Sequence, residues 1–584
     1  MTTFSGIPKH VEDVLLSGGT SRRNLLKSAG LLVVSFAGLG TRPLALPANA
    51  QTPADAGPYP DVDFRQIDSW IVIHDDGSAT FYVGKTDCGQ GTGTSFRQIM
   101  SDELDIAYEK TACVMGSTDI TVDQGGSGGS TAMERDSWPM RRVAAEARRV
   151  MLQMGSERID VPVDQLTVSE GVISVKADPS RRVTYGQLIG GKRFHVALTG
   201  NNVNAITGVA AVKPVQEFKN VGLSPQRYDI PPKVDGSQKW AVDVRLPGMV
   251  HARNVKPPVA GAKLVSIDES SVRGMPGFVK VVSKGNYVAV VCEREEQAIN
   301  AANSLKVNWE KPAAAPFPSS ENLFNYIREV KTTSSSKPIV VGDPETAFAG
   351  AVKVIEADYD IPFQGHTAIS PAHAMADPSN GQMTIYSNDM KSYGMRRGVA
   401  EFLRIPHEQV RVVWMEGPQG FGRTAADDAG CEAAYLAKEL GRPVRVQWMR
   451  SEETAWDTKA PAFAVKVKGA LDAAGNLVAL DYNARAADYN HVGYNEADTV
   501  LIAQLMGIRR AKPAEGSAAV PSEMYAIPHR RMATHVVSLP LVWETPLRTG
   551  NLRDPNGPQS TFASESFIDE LAAATKTDPL DFRM

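Results

Sequence analysis

The chain has 584 residues, 42% of them apolar and 22% charged, with a formal net charge of -4. That length is too great for one hydrophobic core and implies several domains, while the near-neutral balance gives no ground for a nucleic-acid or anionic-membrane partner. The four cysteines, Cys88, Cys113, Cys292 and Cys431, are scattered without a Cys-x-x-Cys pair, which argues against a zinc ribbon, a disulfide framework or an iron–sulfur cluster held by this chain.

Near the N-terminus, Ser21-Arg22-Arg23-Asn24-Leu25-Leu26-Lys27 resembles a twin-arginine export signal. An apolar run from Ala29 to Leu39 follows, then Ala48-Asn49-Ala50 as a small-residue cleavage site. Residues 1–50 are therefore expected to be a signal that sends the folded chain to the periplasm. The plainer alternatives are a general secretion signal or a short amphipathic helix. The apolar run is too short to span a membrane.

Residues 61–215 read as a mixed domain. Trp70 to His74 and Ala79 to Val83 flank Asp75-Asp76-Gly77, a hairpin pattern. The hairpin runs into Cys88-Gly89-Gln90-Gly91-Thr92-Gly93-Thr94, after which Phe96, Ile99, Met100 and Leu104 recur at helical spacing. Glycines at a helix start let backbone approach a ligand, and free N–H groups there form an anion-binding concavity; the plain alternative is a tight turn. Thr111 to Met115 reads as a strand, and Gln124-Gly125-Gly126-Ser127-Gly128-Gly129-Ser130 repeats the glycine chemistry. A helix around Arg141–Met154 carries arginines 141, 142, 148 and 149, expected on its solvated face.

Residues 228–312 read as a β-rich unit, with Trp240 to Val250 strand-like, apolar strands at 278–282 and 287–292, and a helix from Glu295. A linker at Lys311–Pro316 and an exposed segment at Ser334-Ser335-Ser336 separate it from residues 338–584. There, Val410 to Met415 leads into a third glycine loop, Glu416-Gly417-Pro418-Gln419-Gly420-Phe421-Gly422-Arg423, and a helix from Ala425. Asp427 and Asp428 at that helix start read as a dipole or solubility feature, and His366 and His373 as ordinary core or pocket residues. Asp578-Pro579 opens a helix within which the sequence stops, so further sequence is expected beyond Met584.

Together these motifs resemble the molybdopterin-binding large subunits of the xanthine dehydrogenase and aldehyde oxidase family, nearest its exported isoquinoline oxidoreductase, aldehyde dehydrogenase and nicotinate dehydrogenase branch. The landmarks in order are Asp87 to Asp105, Val250 to Pro258 with the strands to Trp309, Gln364-Gly365-His366, Phe421-Gly422, Pro546-Leu547-Arg548 and Glu565 to Arg583. The resemblance implies an α+β, multidomain fold: mixed sheets with helices, two molybdopterin-binding domains and a small hammerhead domain. It implies hydroxylation of an aldehyde or aromatic N-heterocycle with oxygen from water, and transfer of electrons to a small iron–sulfur subunit and then a cytochrome c. The cofactor would be a molybdenum pterin, in its cytosine dinucleotide form, with the metal bound by the pterin's own sulfurs rather than by the chain.

Carried over residue by residue, the resemblance makes Gln90 and Gly91 pterin contacts and places Gly129 and Ser130 in a loop at the phosphate end or beside the metal. Gln364 corresponds to a glutamine facing an apical ligand of the metal, Phe421 and Gly422 lay backbone against the centre, and Arg423 and Arg548 help hold the cofactor. Ala425 stands where purine-oxidising relatives carry a glutamate, which argues against a purine, and Ser370 replaces another usual glutamate. The family's catalytic glutamate is expected beyond Met584, so a non-catalytic fragment or split subunit is the alternative reading. A nucleotide-binding dehydrogenase is disfavoured, because the Gly89–Gly93 spacing departs from Gly-x-Gly-x-x-Gly. Gln90→Ala is expected to lower the molybdenum that copurifies with the assembled protein; unchanged metal content by mass spectrometry would remove Gln90 from the site.

Overall fold

The computed structural model describes residues 62–417, 420–488, 492–493, 497–508, 525–541, 543–555 and 557–584. The export signal within residues 1–50, and Pro418 and Gln419 of the third glycine loop, lie outside the described residues. The described residues form two compact units: residues 62–124 with 129–247, and residues 125–128 with those described from 248 to 584. The fold is mixed α and β throughout.

In the first unit the hairpin forms as its turn residues dictate. Ile71–Ile73 runs antiparallel to Ala79–Val83, with Ile71 opposite Phe81. Ala79–Val83 then pairs in parallel with Thr111–Met115, and the crossover between them is the helix Thr92–Leu104. Phe96, Met100 and Leu104 on that helix are fully buried, as their spacing requires. They face a second helix, Trp138–Ile159, whose Val143, Ala144, Ala147 and Met151 are equally buried. Two of the four arginines of this helix depart from expectation, while Arg149 is exposed as expected. Arg141 is 12% exposed and donates to Glu103 at 2.8 Å, and Arg148 pairs with Asp105, so both tie the two helices together instead of facing solvent.

The second unit is built on two large sheets, with two further two-stranded pairings among the described residues. The larger has seven strands, in the order Val410–Trp414, Met383–Ser387, His373–Asp377, Val444–Gln447, Val250–Asn254, Tyr287–Cys292 and Phe278–Lys284. It joins strands of the region read as the hammerhead to strands of residues 373–447 through the parallel pairing of Val250–Asn254 with Val444–Gln447. Every residue of Tyr287–Cys292 is buried, because alternate side chains serve different cores. Tyr287, Ala289 and Val291 join the cluster under the helix Ala426–Leu440, whereas Val288, Val290 and Cys292 join Ala298 and Ala301 of the helix Glu295–Ser304.

The other sheet runs Thr332–Ser335, His529–Val537, Leu477–Ala486, Phe463–Leu471, Lys353–Ile361, with Ile339–Val341 also paired to His529–Val537. The helix Gly557–Thr575 lays Ala563, Phe567, Ile568 and Leu571 across it. Two local readings are corrected. Trp240 to Val250 is not a strand but a short helical turn, Ala241–Asp243, and Pro247 with Gly248 at φ 69° turns the chain before the strand starts at Val250. Ser334-Ser335 belongs to an edge strand, held by the backbone of His529–Val537.

The Cβ that Gly469 lacks would sit 2.9 Å from the Phe567 ring, so helix and sheet are in close contact. Phe567→Ala should cost about 3–5 kcal/mol of stability through the cavity it opens. Chemical denaturation of the second unit reads this directly; a loss below about 0.5 kcal/mol would show that the helix does not contribute to that core.

Candidate functional site

Each unit gathers some of the residues singled out by sequence. In the first, the loop 87–93 is organised by a carboxylate. Asp87 accepts from the N–H groups of Gly89 at 2.9 Å, Gly91 at 3.1 Å and Gly93 at 3.2 Å. The N–H groups expected to be open to an anion are therefore taken by the chain itself. Gln90 is exposed, and its side-chain oxygen accepts from the Cys88 N–H at 2.8 Å. Gly91 has φ 83°, and the Arg227 guanidinium, which donates to the Gly89 carbonyl at 3.0 Å, lies 3.0 Å from where a Cβ would be. Arg227 is in turn held by Asp229.

Gly129 and Ser130 both adopt positive φ and are exposed. Behind them is a buried ion pair that the sequence reading missed: Lys85 Nζ to Asp136 at 2.5 Å, with side chains 4% and 1% exposed. Burial pushes the Asp136 carboxyl up, but hydrogen bonds from Arg135, Lys85 and Thr131 outweigh it and hold the group below its ordinary range. Gln124 accepts from the Gly84 N–H at 3.0 Å and donates to the Asp136 carbonyl at 3.2 Å, so the starts of the two glycine loops are fastened side by side.

In the second unit four segments cross. Gln364–Gly365 pairs with Lys459–Ala460. Lys459 also donates its N–H to the Arg548 carbonyl at 2.9 Å and accepts from Gly550 at 3.1 Å. Gly422 bridges to Leu552, at φ 111°, where an added Cβ would lie 1.9 Å from the Asn551 oxygen; only glycine fits. Phe421 accepts from the Arg553 N–H at 2.6 Å. His366 is buried with both ring nitrogens occupied, Nδ1 at 2.8 Å from the Thr458 carbonyl and Nε2 at 3.0 Å from that of Asn551. The structure thus brings Gln364, Phe421, Gly422, Arg423 and Arg548 together.

Arg423 and Arg548 are both fully buried, and their guanidinium groups turn onto one carboxylate. Asp428 accepts from Arg423 at 2.6 and 3.2 Å, from Arg548 at 3.2 and 2.9 Å, and from the Leu501 N–H at 2.7 Å. Burial alone would raise this carboxyl, yet the two guanidinium groups hold it far below its ordinary value. Asp427, 1% exposed beside Asp389 and Arg423, shifts the other way, pushed well up by burial and by the Asp389 charge. The helix-start acids are therefore not a solubility feature. Nearby, burial and the Asp457 charge lift Glu453 to about 7, and burial brings Lys459 down to about 8.

Among the described residues of this crossing, Arg548 Nε, Asn551 Oδ1 and Gln559 Oε1 are buried without a hydrogen-bond partner. Gln559 meanwhile donates weakly to Gln364 at 3.4 Å. Such unpaired donors and acceptors are costly unless a ligand engages them. They suit a ligand edge carrying both kinds of group, as a pterin does.

The comparisons agree with that chemistry. The molybdopterin cofactor-binding domain family matches residues 39–219 and again residues 327–584. A nicotinate dehydrogenase subunit of Pseudomonas putida is 32% identical over 91% of this chain and 44% of its own length. The membrane-bound aldehyde dehydrogenase of Gluconacetobacter polyoxogenes, which is named for pyrroloquinoline quinone, is 24% identical over 97% of this chain and 72% of its own. The beta chain of isoquinoline 1-oxidoreductase from Brevundimonas diminuta is 25% identical over 97% and 74%. This is a molybdopterin-binding chain. It belongs to the xanthine dehydrogenase and aldehyde oxidase family of large subunits, and it spans less than half of the nicotinate dehydrogenase polypeptide it resembles.

Removing one member of a buried ion pair leaves a charge uncompensated, so Asp428→Asn should cost about 3–5 kcal/mol. The folded-state carboxyl lies below its unfolded value, so its stabilisation is present above about pH 4 and is withdrawn as the pH falls further. In acid titrations of stability the variant should lose this limb; a parallel pH profile for wild type and variant would contradict the assignment.

Proposed function

We propose that the chain is the molybdenum-cofactor subunit of an oxidoreductase that hydroxylates an aldehyde or an aromatic N-heterocycle with oxygen from water. The observation carrying this reading is the crossing around Gln364, Gly422 and Arg548, with its unpaired buried polar atoms, inside a matched molybdopterin-binding domain. When bound, the cofactor supplies the two-electron oxidation of the substrate carbon. The protein's part is to hold and orient. In the second unit, Gln364 offers its carboxamide, and Gly422, pressed against the Asn551 carbonyl, fixes the Phe421-Gly422 backbone beside it. Arg423 and Arg548 act from behind: held on Asp428, they fix the loops, and Arg548 Nε is a buried donor left without a partner. In the first unit, taken by itself, Gln90 and Gly91, fixed by Asp87 and Arg227, and the exposed Gly129 and Ser130 are the proposed cofactor contacts.

A cytosine dinucleotide form, a small iron–sulfur partner, a cytochrome c acceptor and a periplasmic location complete the proposal. Supporting them are the twin-arginine pattern at residues 21–27 and the names of two relatives, each of which is one chain of a larger enzyme. The four free cysteines offer no cluster, so electrons would leave through another chain. Ala425, fully buried, cannot supply a carboxylate to a purine.

Purified with its partner from a molybdenum-replete host, the protein should contain molybdenum and release cytidine monophosphate on acid hydrolysis. Expressed within a subunit of its relatives' full length, it should support dye reduction with benzaldehyde or nicotinate and not with xanthine. A folded protein free of molybdenum would overturn the proposal, and release of guanosine monophosphate would overturn the dinucleotide assignment alone.

A further inference from the structure

The His366 side chain is 0% exposed, and both of its ring nitrogens face oxygens that can only accept. Nδ1 lies 2.8 Å from the Thr458 carbonyl and 3.2 Å from Asp457 Oδ2, and Nε2 lies 3.0 Å from the Asn551 carbonyl. A neutral imidazole has one N–H and one lone pair. Either tautomer would set that lone pair directly against a carbonyl oxygen, at 2.8 Å for Thr458 or 3.0 Å for Asn551, a repulsive contact between two acceptors. Only the doubly protonated ring satisfies both sides.

We propose that His366 is a standing imidazolium, a positioning residue that fastens the Thr458 segment to the Asn551 segment and thereby fixes the neighbouring Gln364, Gly422 and Arg548. Its place in the crossing shows what depends on it. The Asn551 carbonyl it engages also takes the Arg423 N–H at 2.7 Å and is the atom against which Gly422 is pressed. Thr458 precedes Lys459, which pairs with the Gln364 strand and with Arg548. The positioning role rests on the reading of this crossing as the cofactor region; the protonation state does not.

The charged groups that act on the ring are Asp457 and Glu453, and Asp457 is in turn close to Arg423 and Lys459. Asp457 is the counter-ion in direct contact, and one of its oxygens, Oδ1, is buried without a hydrogen bond. Burial opposes the charge, but Asp457 and the two carbonyls outweigh it, so the ring holds its proton above the ordinary histidine value. With the folded value raised, the contribution to stability is complete below about pH 6.5 and is lost as the pH rises through the folded value.

The test is ring-¹⁵N spectroscopy of the cofactor-free chain labelled at histidine, with His366 assigned by His366→Gln. At about pH 8, where an ordinary histidine is neutral, His366 should show two nitrogens of protonated type. One protonated and one lone-pair nitrogen at that pH would overturn the proposal. Should His366→Gln not fold, Asp457→Asn identifies the signal, because loss of the counter-ion should move its titration to lower pH; a signal unmoved by that change would equally overturn it. Molybdenum retained after gel filtration of the loaded protein reads the positioning role. Wild type should lose metal on the alkaline limb, and His366→Gln should retain little at any pH. Equal, pH-independent retention by both would refute the positioning role. A wild type that never holds molybdenum would refute the cofactor reading and leave the spectroscopic outcome standing.

Discussion

A carboxylate sealed from water and shared by two guanidinium groups sets the terms for the second unit. Asp428 accepts five hydrogen bonds, four of them from Arg423 and Arg548 and the fifth from the Leu501 N–H. Two cations and one anion leave a net charge in the core, which Asp457, acting on both Arg423 and His366, offsets in part, whereas Asp427, its carboxyl pushed well up, adds little. Charges buried this deeply are tolerated only when nearly every lone pair and proton is engaged. The loops that carry these groups therefore have little freedom to move independently. Rigid loops are what a large, polar, tightly held cofactor requires, since ordering them on binding would subtract from affinity.

The first unit uses a related device with less charge. Asp87 fills the ring of glycine N–H groups that would otherwise attract an anion, and Arg227 closes over the Gly89 carbonyl. The loop is rigid before any ligand arrives, and what it leaves accessible is the Gln90 carboxamide. The loop therefore lacks an electrostatic nest that would welcome any phosphate, and the contact proposed for it is a side chain that can both donate and accept.

Much of this was legible in the sequence where the determinants are local. The hairpin over Asp75-Asp76-Gly77, the helical spacing of Phe96, Met100 and Leu104, and the Asp578-Pro579 helix start each follow from residues within one turn of one another. Asp87 could have been found too, since an Asp two residues before a glycine is an Asx-turn signal. Asp428 could not. Arg423 is near it in sequence, but Arg548 lies 120 residues away, and nothing local separates a counter-ion from a helix-dipole acid. The same holds for His366, whose two carbonyl partners are 92 and 185 residues distant. The strand His529–Val537 escaped notice because histidines and arginines interrupt its alternation, although pairing on both sides makes it internal to its sheet.

The strand Tyr287–Cys292, buried on both faces, bears on how such a protein can be inherited. A segment that merely touches its neighbour can be exchanged between genes as a cassette. This one gives three side chains to a core it shares with the helix Ala426–Leu440 and lies two strands from Val444–Gln447 in the same sheet. Cutting it out would bare the backbone edge of Val250–Asn254 and strip one wall from another core, inviting edge-to-edge association. Insertions and recombination should therefore spare the stretch from Val250 to Gln447 as a single heritable block, and accumulate instead in the irregular chain that precedes it.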